Sequence, residues 1–142
     1  MAIDEVKKFI AQQDLVAENR YVPEVVTPTR AGGFDDKIAV IGAGPAGLSC
    51  AFYLAEKGYK PVIFEKSARP GGMLTYGIPS YKLEKDVIEA EVEIIREMGV
   101  DIRLGVEVGR DVTLDELREQ GLVTEEDQWD KDQYNMEKLM AA

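Results

Sequence analysis

Residues 37–48 read Lys-Ile-Ala-Val-Ile-Gly-Ala-Gly-Pro-Ala-Gly-Leu, and this stretch decides the fold. Its first five residues are almost wholly apolar, which is typical of a strand buried on both faces of a parallel sheet. A glycine-rich turn follows, and a helix is then predicted from Pro45 to Lys57, where Gly58 favours its end. The sequence therefore predicts a buried strand, a tight turn and a helix in direct succession.

The turn satisfies the spacing G-x-G-x-x-G with Gly42, Gly44 and Gly47. The first glycine allows a tight turn, the second lets a pyrophosphate approach the backbone, and the third permits close packing of helix on strand. The free N–H groups at the start of the helix then face the phosphates. Glycine-rich turns that bind nothing share this spacing, so the position between strand and helix is what favours a dinucleotide site.

A second buried strand, residues 61–65, completes a β-α-β unit with a right-handed crossover. It ends in Glu65, which follows the last glycine at close to the roughly 20 residues expected in such units. A carboxylate here can accept hydrogen bonds from the adenosine ribose, and it repels the 2′-phosphate of NADP. FAD and NAD both remain candidates, and the alternative for Glu65 is an ordinary solvated charge.

Further elements are predicted on both sides of this unit. Residues 1–36 form a helix from Ile3 to Gln13 and an extended linker. Residues 66–82 form a loop too long for an ordinary connection, and such loops usually carry function. The remaining predictions are a helix from Leu83 to Met98, a third strand over residues 100–108 bent at Gly105, a short helix capped by Thr113 and Glu116 that ends near Gly121, and an acidic, helical tail over residues 122–142 that carries Trp129.

Composition excludes several classes of function. Lys and Arg total 17 against 27 Asp and Glu, and a net charge of −10 argues against nucleic-acid and anionic-membrane surfaces. One cysteine and no histidine exclude a thiolate or imidazole metal site within the chain, and we predict no catalytic residue. Cys50 is expected to be a small core residue. With no apolar membrane-spanning stretch and no signal-peptide pattern at the start, a cytoplasmic location is expected.

Three stretches together resemble the small subunit of glutamate synthase and the related domain of dihydropyrimidine dehydrogenase. They are residues 40–48, residues 64–66, and the string Pro-Gly-Gly-Met-Leu-Thr-Tyr-Gly-Ile-Pro at residues 70–79. The resemblance runs from Ala2 to about Gly121, and the string at 70–79 is its most specific part. It implies an α/β, Rossmann-like FAD-binding core with a parallel sheet.

The resemblance also implies which residues meet FAD. The pyrophosphate would lie at the glycine turn, the ribose at Glu65, and the backbone of Gly72 and Leu74 along the cofactor. Val108 matches a backbone position at the adenine, and Lys66 and Arg69 are either pyrophosphate partners or solvated loop cations. The candidate cofactor-binding residues are Gly42, Gly44, Pro45, Ala46, Gly47, Glu65, Lys66, Gly72, Leu74 and Val108.

In this family FAD passes electrons from a nicotinamide nucleotide to iron–sulfur clusters. The cluster ligands, the closing strand of the FAD fold and the nicotinamide domain are not recognisable here. We therefore expect a truncated or split FAD-binding portion over residues 37–121, completed by a partner that holds the cluster and the nicotinamide nucleotide. The alternatives are a non-catalytic Rossmann-like assembly module and an independent NAD-binding protein.

Overall fold

The structure is a computed structural model that describes residues 3–18, 20–25 and 37–123. Its elements are α1 (Ile3–Leu15), β1 (Lys37–Ile41), α2 (Pro45–Glu56), β2 (Lys60–Glu65), α3 (Met73–Tyr76), α4 (Lys85–Glu97), β3 (Asp101–Leu104), α5 (Leu114–Glu119) and β4 (Leu122–Val123). The strand, glycine turn and helix predicted from residues 37–57 are confirmed. So are the second strand and the long helix after the loop, with ends that differ by one or two residues.

The strands form one parallel sheet in the order β3-β2-β1-β4. β1 lies inside the sheet and pairs with β2 along its whole length, from Lys37 beside Lys60 to Ile41 beside Phe64. This arrangement places the carboxyl ends of β1 and β2 side by side, and open α/β sheets bind their ligands at the carboxyl ends of their strands. The predicted α/β fold with a parallel sheet is thus confirmed.

Apolar side chains cover both faces of the sheet. Along β2, Ile63 joins the core under α2 and α4, whereas Val62 and Phe64 join a second core with Leu117 of α5. β2 is therefore buried on both faces, as its sequence predicts. β1 departs from this at its end, because Ile41 is 62% exposed.

The third strand is shorter than predicted. β3 ends at Leu104, and the N–H groups of Gly105 and Val106 donate to the carbonyls of Ser67 and Glu65, at 3.1 and 3.0 Å. Val106 and Val108 nevertheless keep an apolar role, since both pack against the second core. The apolar alternation thus continues past the end of β3. Its last part reflects packing of a turn against the second core, not pairing within the sheet.

The sheet extends beyond Gly121, where the sequence places the end of the Rossmann-like portion. Leu122 and Val123 form β4, which pairs in parallel with Lys37 and Ile38 of β1. Leu122 is buried in the second core, so its apolar side chain stabilises this short pairing. The expectation that no further strand follows is wrong at these two residues. The helix predicted for the rest of the acidic tail and most of the predicted linker lie outside the described residues.

Two helices expose apolar groups. The expectation for Cys50 is wrong: it is exposed, because the buried positions of α2 are Leu48, Ala51 and Ala55. The helix predicted from Ile3 is confirmed as α1, and its apolar stripe, Ile3, Val6, Phe9 and Ile10, is exposed. Within the described ranges, no helix is long and apolar enough to cross a membrane.

Candidate functional site

The glycine turn is built as its spacing predicts. Gly42 has φ of +96°, a conformation that favours glycine, and its N–H donates to the carbonyl of Phe64 at 2.8 Å. A Cβ on Gly47 would overlap the carbonyl oxygen of Gly42. These two glycines therefore set the shape of the turn and the close approach of α2 to β1.

Gly44 differs from its neighbours because the fold itself does not require a glycine there. Its φ of −75° suits any residue, and among the described residues nothing except its two chain neighbours lies within 4 Å of the place its Cβ would take. Pro45 starts α2 directly afterwards, and no side chain in the described part of the chain caps this helix. The N–H groups of Ala46 and Gly47 have no intrahelical acceptor, so the positive end of α2 faces open space beside Gly44.

Glu65 joins the end of β2 to the glycine turn. It is 7% exposed, and its two carboxylate oxygens accept the N–H groups of Ala43 at 2.7 Å and Ser67 at 2.8 Å. Burial acts to raise the pKa of Glu65, but these two backbone hydrogen bonds, the Ser67 side chain and the Lys66 charge hold it below its ordinary value. Glu65 is thus a buried carboxylate, not a solvated strand-end charge, and its spare lone pairs can accept further hydrogen bonds.

A cleft of about 290 Å³ opens at the carboxyl ends of β1 and β2. Apolar groups form much of its wall, and charged groups lie on it as well. The lining residues are Ile41, Gly42, Phe64, Glu65, Lys66, Val106, Glu107 and Val108. Lys66 is largely exposed and lies 4.0 Å from Glu107, so its charge is shared with a neighbouring carboxylate. The exposure of Ile41 is explained by this cleft.

The second glycine segment, residues 71–78, runs past the glycine turn. The N–H of Gly71 donates to the carbonyl of Ala43 at 2.7 Å, and a Cβ on Gly72 would lie 3.0 Å from the Cα of Gly44. The segment also contains α3, a single helical turn in a region where the sequence predicts only a loop. The bond from Gly71 therefore holds the backbone of Gly72 directly beside the open space at Gly44.

Leu74 and Arg69 are engaged by the protein itself. The N–H of Leu74 donates to Gly71 at 3.0 Å, and its carbonyl accepts from the Lys85 ammonium at 2.8 Å. The guanidinium of Arg69 pairs with Glu89 of α4, and the backbone N–H of Arg69 donates to the Tyr76 hydroxyl. Lys85 and Ser67 complete the surroundings of the site, and no motif in the sequence indicated either of them.

The structure brings most of the predicted residues together in one continuous site. Four line the cleft, namely Gly42, Glu65, Lys66 and Val108; four form the turn and helix start, namely Gly44, Pro45, Ala46 and Gly47; and Gly72 lies against Gly44. Leu74 stands apart, within α3. An anion-binding helix start next to a buried carboxylate and an apolar wall can hold a phosphate, a hydroxyl-bearing sugar and a flat ring.

A family model described as an NAD(P)-binding Rossmann-like domain matches residues 40–98. This part of the chain is a Rossmann-like domain. The glutamate synthase [NADPH] small chain of Halomonas elongata is 54% identical over 86 residues, which are 61% of this chain and 18% of that protein. The NADP(+)-dependent formate dehydrogenase subunit beta of Moorella thermoacetica is 55% identical over 82 residues, covering 58% of this chain and 12% of that subunit.

The resemblance to the glutamate synthase small chain is thereby confirmed for the Rossmann-like domain. Among solved structures, a 2-naphthoyl-CoA reductase complex aligns with a TM-score of 0.51 and 25% identity, over 70% of this chain and 14% of that one. The chain thus spans less than a fifth of each of these proteins.

Proposed function

We propose that the Rossmann-like domain binds FAD, as the FAD-binding portion of an NAD(P)H-dependent flavin oxidoreductase that resembles the glutamate synthase small subunit. The observation that carries this proposal is the open space at Gly44, bounded by the uncapped start of α2 and by Gly72. A pyrophosphate in that space would meet backbone N–H groups and no Cβ. Because the fold gives no other reason for glycine at position 44, a ligand is the best explanation for it.

Glu65 supports an adenosine half next to the pyrophosphate. Its lowered pKa keeps it ionised at neutral pH, so it can accept hydrogen bonds from both ribose hydroxyls and would repel a 2′-phosphate. The apolar groups of Ile41, Val106 and Val108 line the same cleft and offer a surface for the adenine. These features favour FAD or NAD over NADP in this site.

The second glycine segment favours FAD over NAD. Gly72 lies against Gly44, and α3 follows at once, so backbone continues alongside any ligand that extends past the turn. The string at residues 70–79 is also the part of the sequence that most specifically resembles flavoproteins. We therefore place the flavin half of the cofactor along this segment.

The chemistry would belong to the cofactor and to groups outside the described chain. When bound, FAD would take up a hydride from NAD(P)H and pass single electrons to an iron–sulfur centre. The residues of this chain would bind and orient the cofactor, and none is needed as a general acid or base. We propose that a partner subunit or a further domain supplies the nicotinamide site and the cluster. The exposed apolar stripe of α1 and the names of the relatives, which are chains or subunits of larger enzymes, support such a partner.

A titration of the purified chain with FAD, NADH, NADPH and FMN tests the proposal. We expect FAD to bind most tightly, followed by NADH, since both carry an adenosine with a free ribose 2′-hydroxyl. NADPH is expected to bind weakly because its 2′-phosphate meets Glu65. FMN is the control, because it has the flavin but lacks the adenosine half. Equal binding of FMN and FAD, or no FAD binding with and without candidate partner subunits, would overturn the proposal.

A further inference from the structure

Lys85 reaches back from the first turn of α4 to the second glycine segment. Its ammonium donates to the carbonyl oxygens of Leu74 at 2.8 Å and Ile78 at 2.5 Å, and the side chain is half-buried. Leu74 lies in α3, and Ile78 follows Gly77, the residue at the C-cap of α3. One side chain therefore ties the last part of the segment to α4.

The other end of the segment is attached to the glycine turn, through the bond from Gly71 to the carbonyl of Ala43. The pair Gly71 and Gly72 lies at this attached end, and glycine backbone has more conformational freedom than that of any other residue type. The backbone hydrogen bonds of α3 tie this pair to that helical turn, so a movement of α3 would carry Gly72 with it. Attachment of α3 to α4 through Lys85 would limit such a movement and so keep Gly72 beside Gly44.

We propose that Lys85 is a positioning residue for the FAD site: it holds the second glycine segment against α4 and so keeps Gly72 at the open space beside Gly44. A lysine suits this role because its ammonium carries three donors, and charge-assisted hydrogen bonds are roughly twice as strong as neutral ones. The inference rests on the proposed FAD site. Lys85 need not touch the cofactor itself.

The test compares Lys85→Met with Lys82→Met. Both variants remove one positive charge from the same stretch of chain, but Lys82 is exposed and lies before α4. We expect Lys85→Met to weaken FAD binding about tenfold, in line with the loss of hydrogen bonds to a charged group. Lys82→Met should bind FAD as the wild type does, and Lys85→Arg should recover most of the affinity because it keeps charge and donors.

A second measurement follows the segment without flavin. Chymotrypsin cleavage after Tyr76, in α3, should be faster in Lys85→Met than in the wild type and in Lys82→Met, while far-UV circular dichroism stays unchanged. Should Lys85→Met fail to fold, Lys85→Gln replaces it, since its amide can still donate to one carbonyl.

The outcomes separate the two proposals. If the wild type does not bind FAD, the proposed function fails, and the cleavage rates alone decide whether Lys85 holds the segment. If the wild type binds FAD and Lys85→Met binds it equally well, or if Lys82→Met loses as much affinity, the role of Lys85 is overturned. A lack of recovery in Lys85→Arg, with an intact fold, would overturn it as well.

Discussion

Two glycine-rich regions meet at the candidate site, and they are glycine-rich for different reasons. In the glycine turn, no described residue apart from the two chain neighbours comes within 4 Å of the place where Gly44 lacks a Cβ. In the second glycine segment, a Cβ on Gly71 would overlap the Thr75 hydroxyl, and one on Gly72 would lie 3.0 Å from the Cα of Gly44. The turn thus keeps one glycine that packing among the described residues does not require, whereas the glycines of the segment are required by packing within the protein.

The two regions also differ in how they are held. Backbone hydrogen bonds and the buried carboxylate of Glu65 hold the turn to β2, with bonds of 2.7 to 2.8 Å. The segment depends in addition on side chains, through the bond from Thr75 to the carbonyl of Pro70 and those from Lys85 to the carbonyls of Leu74 and Ile78. We therefore expect a change at Gly44 to separate binding from folding, and changes at the packed glycines of both regions to affect stability.

The largest effect is expected for Gly47→Ala. The added Cβ would overlap a backbone oxygen, which cannot rotate away, so we expect a loss of about 3 kcal/mol in the free energy of unfolding. Urea unfolding measures this loss, and Gly44→Ala, in the same motif, is the control. An unchanged midpoint for Gly47→Ala would contradict the packing role of this glycine.

Gly71→Ala tests the segment in the same way. Its φ of +102° is strained for alanine, and the Cβ displaces the Thr75 hydroxyl from Pro70, so we expect a loss of about 2 kcal/mol. The double variant Gly71→Ala with Thr75→Ala should recover the part of the lost stability that the overlap causes. It should not recover the part that the backbone strain causes. If the double variant is as unstable as the sum of the two single variants, the overlap is not relieved and the explanation is wrong.

Glu65→Gln replaces the two charged acceptor oxygens of the turn by one neutral oxygen. An amide has one oxygen where the carboxylate has two, so either Ala43 or Ser67 loses its partner, at about 2 kcal/mol. We also expect weaker FAD binding, measured by titration at neutral pH. Glu107→Gln is the matched control, because Glu107 lines the same cleft but its carboxylate does not hold the turn as that of Glu65 does. Equal losses in both variants would count against the role of Glu65.

The stability difference between the wild type and Glu65→Gln should depend on pH, because the pKa of Glu65 is lowered. Because the pKa in the folded state lies below the ordinary 4.5, the ionised carboxylate stabilises the fold fully above that value. The stabilisation is lost as the pH falls through the folded-state pKa. The gap in unfolding free energy between wild type and Glu65→Gln should therefore be constant at higher pH and shrink below 4.5. A gap that grows on acidification would contradict the assignment.

Gly44→Ala should separate binding from folding most clearly. Its backbone and surroundings accept a Cβ, so the free energy of unfolding should stay within a few tenths of a kcal/mol or rise slightly. FAD binding should weaken about tenfold, equivalent to about 1.4 kcal/mol, because the methyl group occupies the approach to the backbone. Unchanged FAD affinity would show that the open space at Gly44 does not hold the cofactor, and the proposed function would lose its main support.

The smallest effect is expected outside both regions, at the start of α5. Thr113 and Glu116 form a capping box, with the Thr113 hydroxyl accepting the Glu116 N–H at 3.2 Å. Thr113→Ala should cost about 1 kcal/mol of stability and leave FAD affinity unchanged, whereas Thr113→Ser should keep the cap. Reduced FAD affinity in Thr113→Ala would show that binding follows overall stability. The affinity losses of the other variants could then not be assigned to the site.

Sequence patterns predicted the parts of the molecule that depend on short-range rules. The spacing of Gly42, Gly44 and Gly47, the apolar runs of β1 and β2 and the capping box at Thr113 each follow from local geometry, and the structure has all of them. The buried face of α4, formed by Ile88, Val92 and Ile95, follows in the same way from helical periodicity. For the site, the glycine turn and Glu65 were the predictable part.

The remaining features depend on contacts between distant residues. Cys50 is exposed because of the direction in which α2 packs on the sheet, which its mixed apolar sequence does not specify. The end of β3 at Leu104 depends on hydrogen bonds to Ser67 and Glu65, and the attachment of Lys85 to α3 depends on the path of a long loop. No periodicity or motif encodes such contacts, so sequence reasoning missed them.

The pairing of β4 with β1 has a consequence for the order of folding. The β-α-β unit joins strands that are close in the chain, so it can form as soon as residues through Glu65 are available. Lys37, by contrast, finds its second partner in Leu122, almost at the end of the described chain. Closing so long a loop is entropically costly and slow. During synthesis on the ribosome, the inner strand would therefore keep one edge unpaired until nearly all of this region had emerged.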